Sequence, residues 1–219
     1  MPTSTTIRRM RKVILMLALV AACGDDDATT TDAPTAIDAP AVTLDCATYC
    51  SQITANCTGA NAQYADAAHC MGTCAKFPKG TAVTETTGDT LGCRIYHSGM
   101  PSATTPATHC PHAGPGGGPV ADPLVAQCGN ACESFCTLEI ATCGTTGAPK
   151  AGIPANYASV DACVATCNTF TKTPAYSPTA PAGNTLACRL YHVTNAAVSD
   201  TAAMTHCMHT GSPATAVCK

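Results

Sequence analysis

Gly88-Asp-Thr-Leu-Gly-Cys-Arg-Ile-Tyr-His97 and Gly183-Asn-Thr-Leu-Ala-Cys-Arg-Leu-Tyr-His192 match at seven of ten positions. His109-Cys-Pro-His112 follows the first copy and His206-Cys-Met-His209 the second. Six of the seven histidines thus sit at repeat-equivalent places, which marks a duplication.

Working outward, the cysteines repeat in the same order. Repeat one, 44–129, carries Cys46, Cys50, Cys57, Cys70, Cys74, Cys93, Cys110 and Cys128. Repeat two, 130–219, carries Cys132, Cys136, Cys143, Cys163, Cys167, Cys188, Cys207 and Cys218. Both open Cys-x3-Cys-x6-Cys, continue with a second Cys-x3-Cys and end on three widely spaced cysteines. Trp is absent and Phe occurs three times, so the apolar content is mostly small side chains. Modules of roughly 90 residues with such a thin core need covalent staples. Of seventeen cysteines, sixteen fall in the repeats, eight in each, and only Cys23 is left over.

Helical spacing organises the cysteines. Cys46, Cys50, Ile53 and Cys57 lie along one helix face, and Cys132, Cys136 and Cys143 repeat the geometry behind Asn130 as N-cap and Glu133 as the acid at the third helical position. A second helix presents Ala67, Cys70, Met71, Cys74 and Phe77, matched by Val160, Cys163, Val164, Cys167 and Phe170. The connection between them varies, twelve residues from Cys57 to Cys70 against nineteen from Cys143 to Cys163, as a surface loop allows. Asp89-Thr90 and Asn184-Thr185 suit the N-cap of a third short helix that aligns Cys93 with His97 and Cys188 with His192. The Gly/Pro run at 114–119 reads as loop, and His69, which has no counterpart in repeat two, as a solvated helix residue. The fold class is therefore all-α and disulfide-rich: two tandem small helical modules with much irregular structure.

The paired Cys-x3-Cys helices resemble the twin Cys-x3-Cys hairpin of the small chaperones of the mitochondrial intermembrane space. The resemblance implies antiparallel helices stapled twice, with Cys46 to Cys74, Cys50 to Cys70, Cys132 to Cys167 and Cys136 to Cys163. It implies nothing about chaperone activity, and eight cysteines leave on the order of a hundred connectivities open.

The compartment is read from the first residues. Arg8, Arg9, Arg11 and Lys12 form a basic region, Val13 to Val20 an apolar run too short to span a bilayer, and Val20-Ala21-Ala22-Cys23 a small-residue cleavage site. That site resembles the lipobox of bacterial lipoproteins, which implies cleavage before Cys23 and lipidation of its sulfur. Gly24 rather than Asp follows, which in that family favours the outer membrane or cell surface over inner-membrane retention. The expected organisation is a signal peptide at 1–22, passed by the general secretory route, a lipidated disordered tether at 23–43, and the two repeats. The chain as a whole resembles the uncharacterised surface lipoproteins of bacteria with complex envelopes, a resemblance that names no activity. The precursor charge is −3; without the four basic residues of the leader, seven cationic side chains face fourteen acids, a net of −7. No basic stripe for nucleic acid exists, and the membrane is reached through the lipid.

Chemistry rests on the histidines. His97, His109 and His112, with His192, His206 and His209, offer three imidazoles per repeat, a ligand set suited to zinc or copper, with Arg94, Tyr96, Arg189 and Tyr191 as groups that would support it from behind. The same histidines equally suit hydrogen bonds to carbonyls of irregular segments. Oxidised cysteines cannot ligate, nucleophile and phosphate-loop motifs are missing, and no acid recurs at a suggestive place in both repeats. The reading is a non-enzymatic envelope protein with a structural or binding role toward another protein, a polysaccharide or a small ligand. The alternative is transition-metal binding, and convergence of the imidazoles separates the two.

Overall fold

The computed structural model describes residues 42–212 and 217–219. The leader, Cys23 and nearly all of the tether lie outside the described residues. The first side-chain contacts are those of Thr43, whose hydroxyl donates to Asp45 at 2.6 Å.

In repeat one, α1 (Cys46–Asn56) starts where the Asp45 carboxylate accepts the Thr48 amide, and α2 (Ala67–Cys74) where Asp66 accepts the His69 amide. Each cap satisfies an amide that has no partner inside its helix. Next come α3 (Leu91–Ser98), capped by Thr90, α4 (Met100–Thr104) and α5 (Pro106–Ala113). In repeat two, α6 (Ala131–Cys143) opens on a full capping box of Asn130 and Glu133. Its longer loop holds a small ribbon, β1 (Gly144–Thr145) antiparallel to β2 (Ala148–Pro149), with Gly144 opposite Pro149. Then follow α7 (Val160–Cys167), α8 (Leu186–Ala196) capped by Thr185, α9 (Asp200–His206) and a 3-10 turn, Cys207–His209. Phe77 and Phe170, expected inside the second helices, fall just beyond them.

The fold is all-α and disulfide-rich. Cys46 bonds Cys74, Cys50 bonds Cys70, Cys132 bonds Cys167 and Cys136 bonds Cys163, as the hairpin resemblance implies. The remaining pairs also repeat: Cys57 with Cys110 and Cys143 with Cys207, then Cys93 with Cys128 and Cys188 with Cys218. The third pair ties the first helix of each repeat to its His-Cys-x-His segment, so the disulfide frame positions the histidines directly.

Each hairpin covers its own apolar cluster. Tyr49, Ile53, Phe77, Leu91 and Ile95 form one, and Phe135, Leu138, Phe170, Leu186, Leu190 and Val193 the other. Val120 of repeat one is packed into the cluster of repeat two, and the Gly/Pro run before it, expected as loop, is a loop that is almost wholly buried. Gly117 adopts φ +67° there, and a side chain would strike the Cys128 carbonyl at 2.0 Å. Other contacts also cross between repeats. Gly72 lets α2 approach α8, since an added Cβ would meet the Ala197 carbonyl oxygen at 2.5 Å. His69, read as solvated, is instead half-buried, with Nδ1 on Asp66 at 2.7 Å and Nε2 on Asn195 of repeat two at 3.1 Å. An exposed helix position in one repeat becomes a contact once the other packs on it.

Candidate metal centre

The repeated element explains how the histidines are held. Arg94 is fully buried with its guanidinium 3.9 Å from the Phe77 ring centroid. Its Nη1 donates to the Thr90 carbonyl at 3.2 Å, Nη2 to Asp89 at 2.7 Å and to Ser134 at 3.1 Å, and Nε to the Gly114 carbonyl at 3.3 Å. Arg189 repeats this over Phe170, using Thr185, Asn184, Cys218 and Gly211. The sequence places both arginines behind the histidines. Instead each clamps the start of its third helix to the glycine two residues after His-Cys-x-His, because a buried guanidinium needs its donors satisfied. Tyr96 and Tyr191 do border the cluster, each with its ring edge-on to His97 or His192 at 5.1 Å.

In repeat one the three imidazoles meet. Ring centroids of His97 and His109 lie 5.2 Å apart, of His97 and His112 5.0 Å, and of His109 and His112 5.5 Å. One ligand nitrogen from each lies within 4.8 Å of the others. His97 Nε2 is 3.0 Å from the Thr86 carbonyl, an acceptor only, so Nε2 carries the proton and Nδ1 its lone pair. Nδ1 faces His109 Nδ1 at 3.0 Å, which makes His109 the donor of that bond. His112, 6% exposed, has a hydrogen bond to the Val125 backbone, while its Nδ1 is buried without a partner. Desolvation pushes His112 down to about 4, with His97 and His109 adding to the effect, and desolvation also lowers His97. Both are neutral at pH 7, the form that ligates.

A tetrahedral zinc with Zn–N bonds near 2.1 Å would set ligand nitrogens about 3.4 Å apart. The His97–His109 pair is already at 3.0 Å, so the set needs only a modest inward movement of the third ring. Carbonyls that fix the tautomer from behind are the usual support of histidine ligands. The residues present fit such an ion.

Repeat two keeps only part of this. His192 Nε2 is 2.9 Å from the Pro181 carbonyl and its Nδ1 3.0 Å from His206 Nδ1. Burial pushes His192 down to about 4, and it lowers His206 as well. His206 and His209 centroids, however, stand 6.4 Å apart, and among the described residues this trio is not within 4.8 Å. The expectation of an equivalent three-histidine cluster in each repeat is corrected here: both members of the first pair ride α5, whereas the second pair straddles the step from α9 to a 3-10 turn. Two further groupings, His97 with Cys93 and Cys128 and His192 with Cys188 and Cys218, contain only disulfide sulfurs and offer no thiolate.

One functional-looking residue escaped the sequence reading. Glu139 on α6 is fully buried, and desolvation pushes its carboxyl up to about 7 against the lowering effect of Asn156 and Thr210. Its signal was an acid at the position where repeat one has Ile53.

No helix among the described residues is long and apolar enough to cross a membrane. Eight disulfides place the chain in an oxidising, extracellular or envelope setting. Neither the curated proteins nor the solved structures contain a match to it. The model described as the BfoA family C-terminal domain matches residues 14–127, a stretch that holds the three converging histidines of repeat one. That match spans just over half of the sequence, and the chain belongs to the BfoA family.

Proposed function

We propose that this chain is an exported, lipid-anchored envelope protein that binds a transition metal, zinc or copper, through His97, His109 and His112. The observation that carries the reading is the convergence of these imidazoles, one of which, His112, has its Nδ1 buried without a hydrogen-bond partner. A neutral nitrogen buried without a donor costs about 1–3 kcal/mol, which an ion would relieve. The geometry also gives a binding step in terms of this chain's atoms. His97 and His109 would hold the ion through the Nδ1 atoms that now share one hydrogen bond, which would require His109 to carry its proton on Nε2 instead of Nδ1. When bound, the metal would supply Lewis acidity or, as copper, redox capacity.

Anchoring at Cys23 at the outer membrane or cell surface, and the division into tether and two repeats, belong to the same proposal. They are supported by the lipobox-like Val20-Ala21-Ala22-Cys23 and the repeated cysteine spacing. A purely structural or adhesive module is the second reading, favoured by the His97–Thr86 and His192–Pro181 bonds, which pin irregular segments to the third helices. Elemental analysis of the oxidised, untagged full-length chain, followed by zinc and copper(I) titration, tests the choice. One tight equivalent that disappears with His112→Ala supports metal binding. Absence of uptake, with all sixteen repeat cysteines oxidised, returns the histidines to architecture.

A further inference from the structure

Aligned on their cysteines, the repeats differ at buried or half-buried positions that lie together. Repeat one has Tyr49, Ile53, Gln63 and Ala113 where repeat two has Phe135, Glu139, Asn156 and Thr210. In repeat one the Cys110 carbonyl accepts the Gly114 amide four residues on, at 2.9 Å, and α5 stays α-helical past both histidines. Gln63 plays no part in that bond, since its side-chain amide donates to the Asn61 carbonyl at 2.9 Å. Ile53 is packed among apolar neighbours, and the Tyr49 hydroxyl donates to the Ala113 carbonyl at 2.6 Å.

Repeat two replaces this with a polar network. Glu139 Oε1 accepts from Asn156 Nδ2 at 2.9 Å and from the Thr210 hydroxyl at 2.8 Å. The second proton of the Asn156 amide reaches the Cys207 carbonyl at 2.7 Å. This is the counterpart of the Cys110 carbonyl, and here its backbone partner is the Thr210 amide, three residues on at 3.3 Å. A carbonyl taken by a side chain no longer needs the i+4 amide, and the segment tightens into 3-10 geometry. With Phe135 lacking a hydroxyl, Tyr157 takes over the Thr210 carbonyl at 3.0 Å. The His206–His209 centroid distance of 6.4 Å against 5.5 Å for His109–His112 accompanies the change.

We infer that Glu139, Asn156 and Thr210 are positioning residues that hold the second histidine cluster open. The chain then carries one three-histidine site and, at His192 and His206, a two-histidine site of weaker affinity for the same ion. The inference rests on the metal reading of repeat one and makes the two repeats unequal binders rather than copies.

Zinc titration against a competing chelator, on the oxidised full-length chain, separates the two claims. The wild type is expected to take one tight equivalent and a second at least tenfold weaker. The triple variant Glu139→Ile, Asn156→Gln, Thr210→Ala, which installs the residues of repeat one, is expected to take two of comparable affinity. Glu139→Gln, which keeps the acceptor for Asn156 and Thr210, is expected to behave as wild type. A triple variant with its disulfides intact by mass but still one tight equivalent overturns the inference and leaves the metal reading standing; no uptake by the wild type overturns that reading itself. Imidazole NMR of the wild type gives a measurement independent of the variant's folding. With excess zinc, His192 and His206 signals should move and His209 should not, and a His209 shift as large as theirs overturns the inference.

Discussion

Glu139→Gln should leave the protein little changed at pH 5 and make it more stable than wild type at pH 8. Glu139 is 0% exposed; its Oε1 is satisfied by Asn156 and Thr210, while Oε2 lies 3.4 Å from the sulfur of Cys143, which as a disulfide has no proton to give. A carboxylic acid suits that place and a carboxylate does not. The folded group is pushed up to about 7 from 4.5. Because the folded pKa is the higher one, the folded state holds the extra proton, and its contribution to stability is complete below about 4.5 and lost as pH rises through 7. The difference of roughly 2.5 units corresponds to about 3 kcal/mol. Glutamine keeps the shape and the acceptor without the ionisation. Urea unfolding of both proteins, disulfides intact, at pH 5 and pH 8 reads the effect, because histidine contributions are common to both and cancel. His112 and His192, pushed down to about 4, act with the opposite sign: they cost stability at low pH, and that cost disappears as pH rises from about 4 to 6.5. A variant-minus-wild-type difference that stays flat with pH would refute the argument.

Three further outcomes are expected. Gly72→Ala should lower stability by about 1–3 kcal/mol in thermal unfolding, because its methyl would meet backbone at 2.5 Å where α2 packs on α8. Arg94→Met should cost about 2–4 kcal/mol, since it removes the ion-pair partner of the half-buried Asp89 carboxylate and leaves it the Ser134 hydroxyl, whereas Arg189→Met, whose partner is the neutral Asn184, should cost less; equal losses in urea unfolding would contradict the asymmetry. Loss of the Cys93–Cys128 bridge by paired Ser substitution should cost about 2–5 kcal/mol by the same assay and loosen the His97 end of α3, seen as faster amide exchange there.

What the sequence made legible were local rules. Cysteines at i, i+4 and i+11, caps at Asn130, Thr90 and Thr185, and the repeated Gly-x-Thr-Leu element each announce their structure within a few residues. The hairpin pairings followed from a resemblance, and the four disulfides that join distant segments did not, since nothing in the spacing says that Cys57 seeks Cys110 or Cys93 seeks Cys128. Contacts between repeats were silent for the same reason: the destinations of His69, Val120 and Ser134 depend on how one hairpin lies on the other. The histidine set was legible as a composition and its inequality was not. That inequality sits in Glu139, a single acid on a helix face otherwise built for the core, whose meaning appears only once Asn156 and Thr210 are beside it.

The most direct test of the central claim is nitrogen-15 NMR of the imidazoles at pH 7 with and without one equivalent of zinc. Metal-free His97 should be protonated on Nε2 and His109 on Nδ1, and zinc should shift the Nδ1 signals of His97, His109 and His112 together while His109 becomes the Nε2–H tautomer. Unchanged tautomers and unshifted Nδ1 signals at saturating zinc would contradict it.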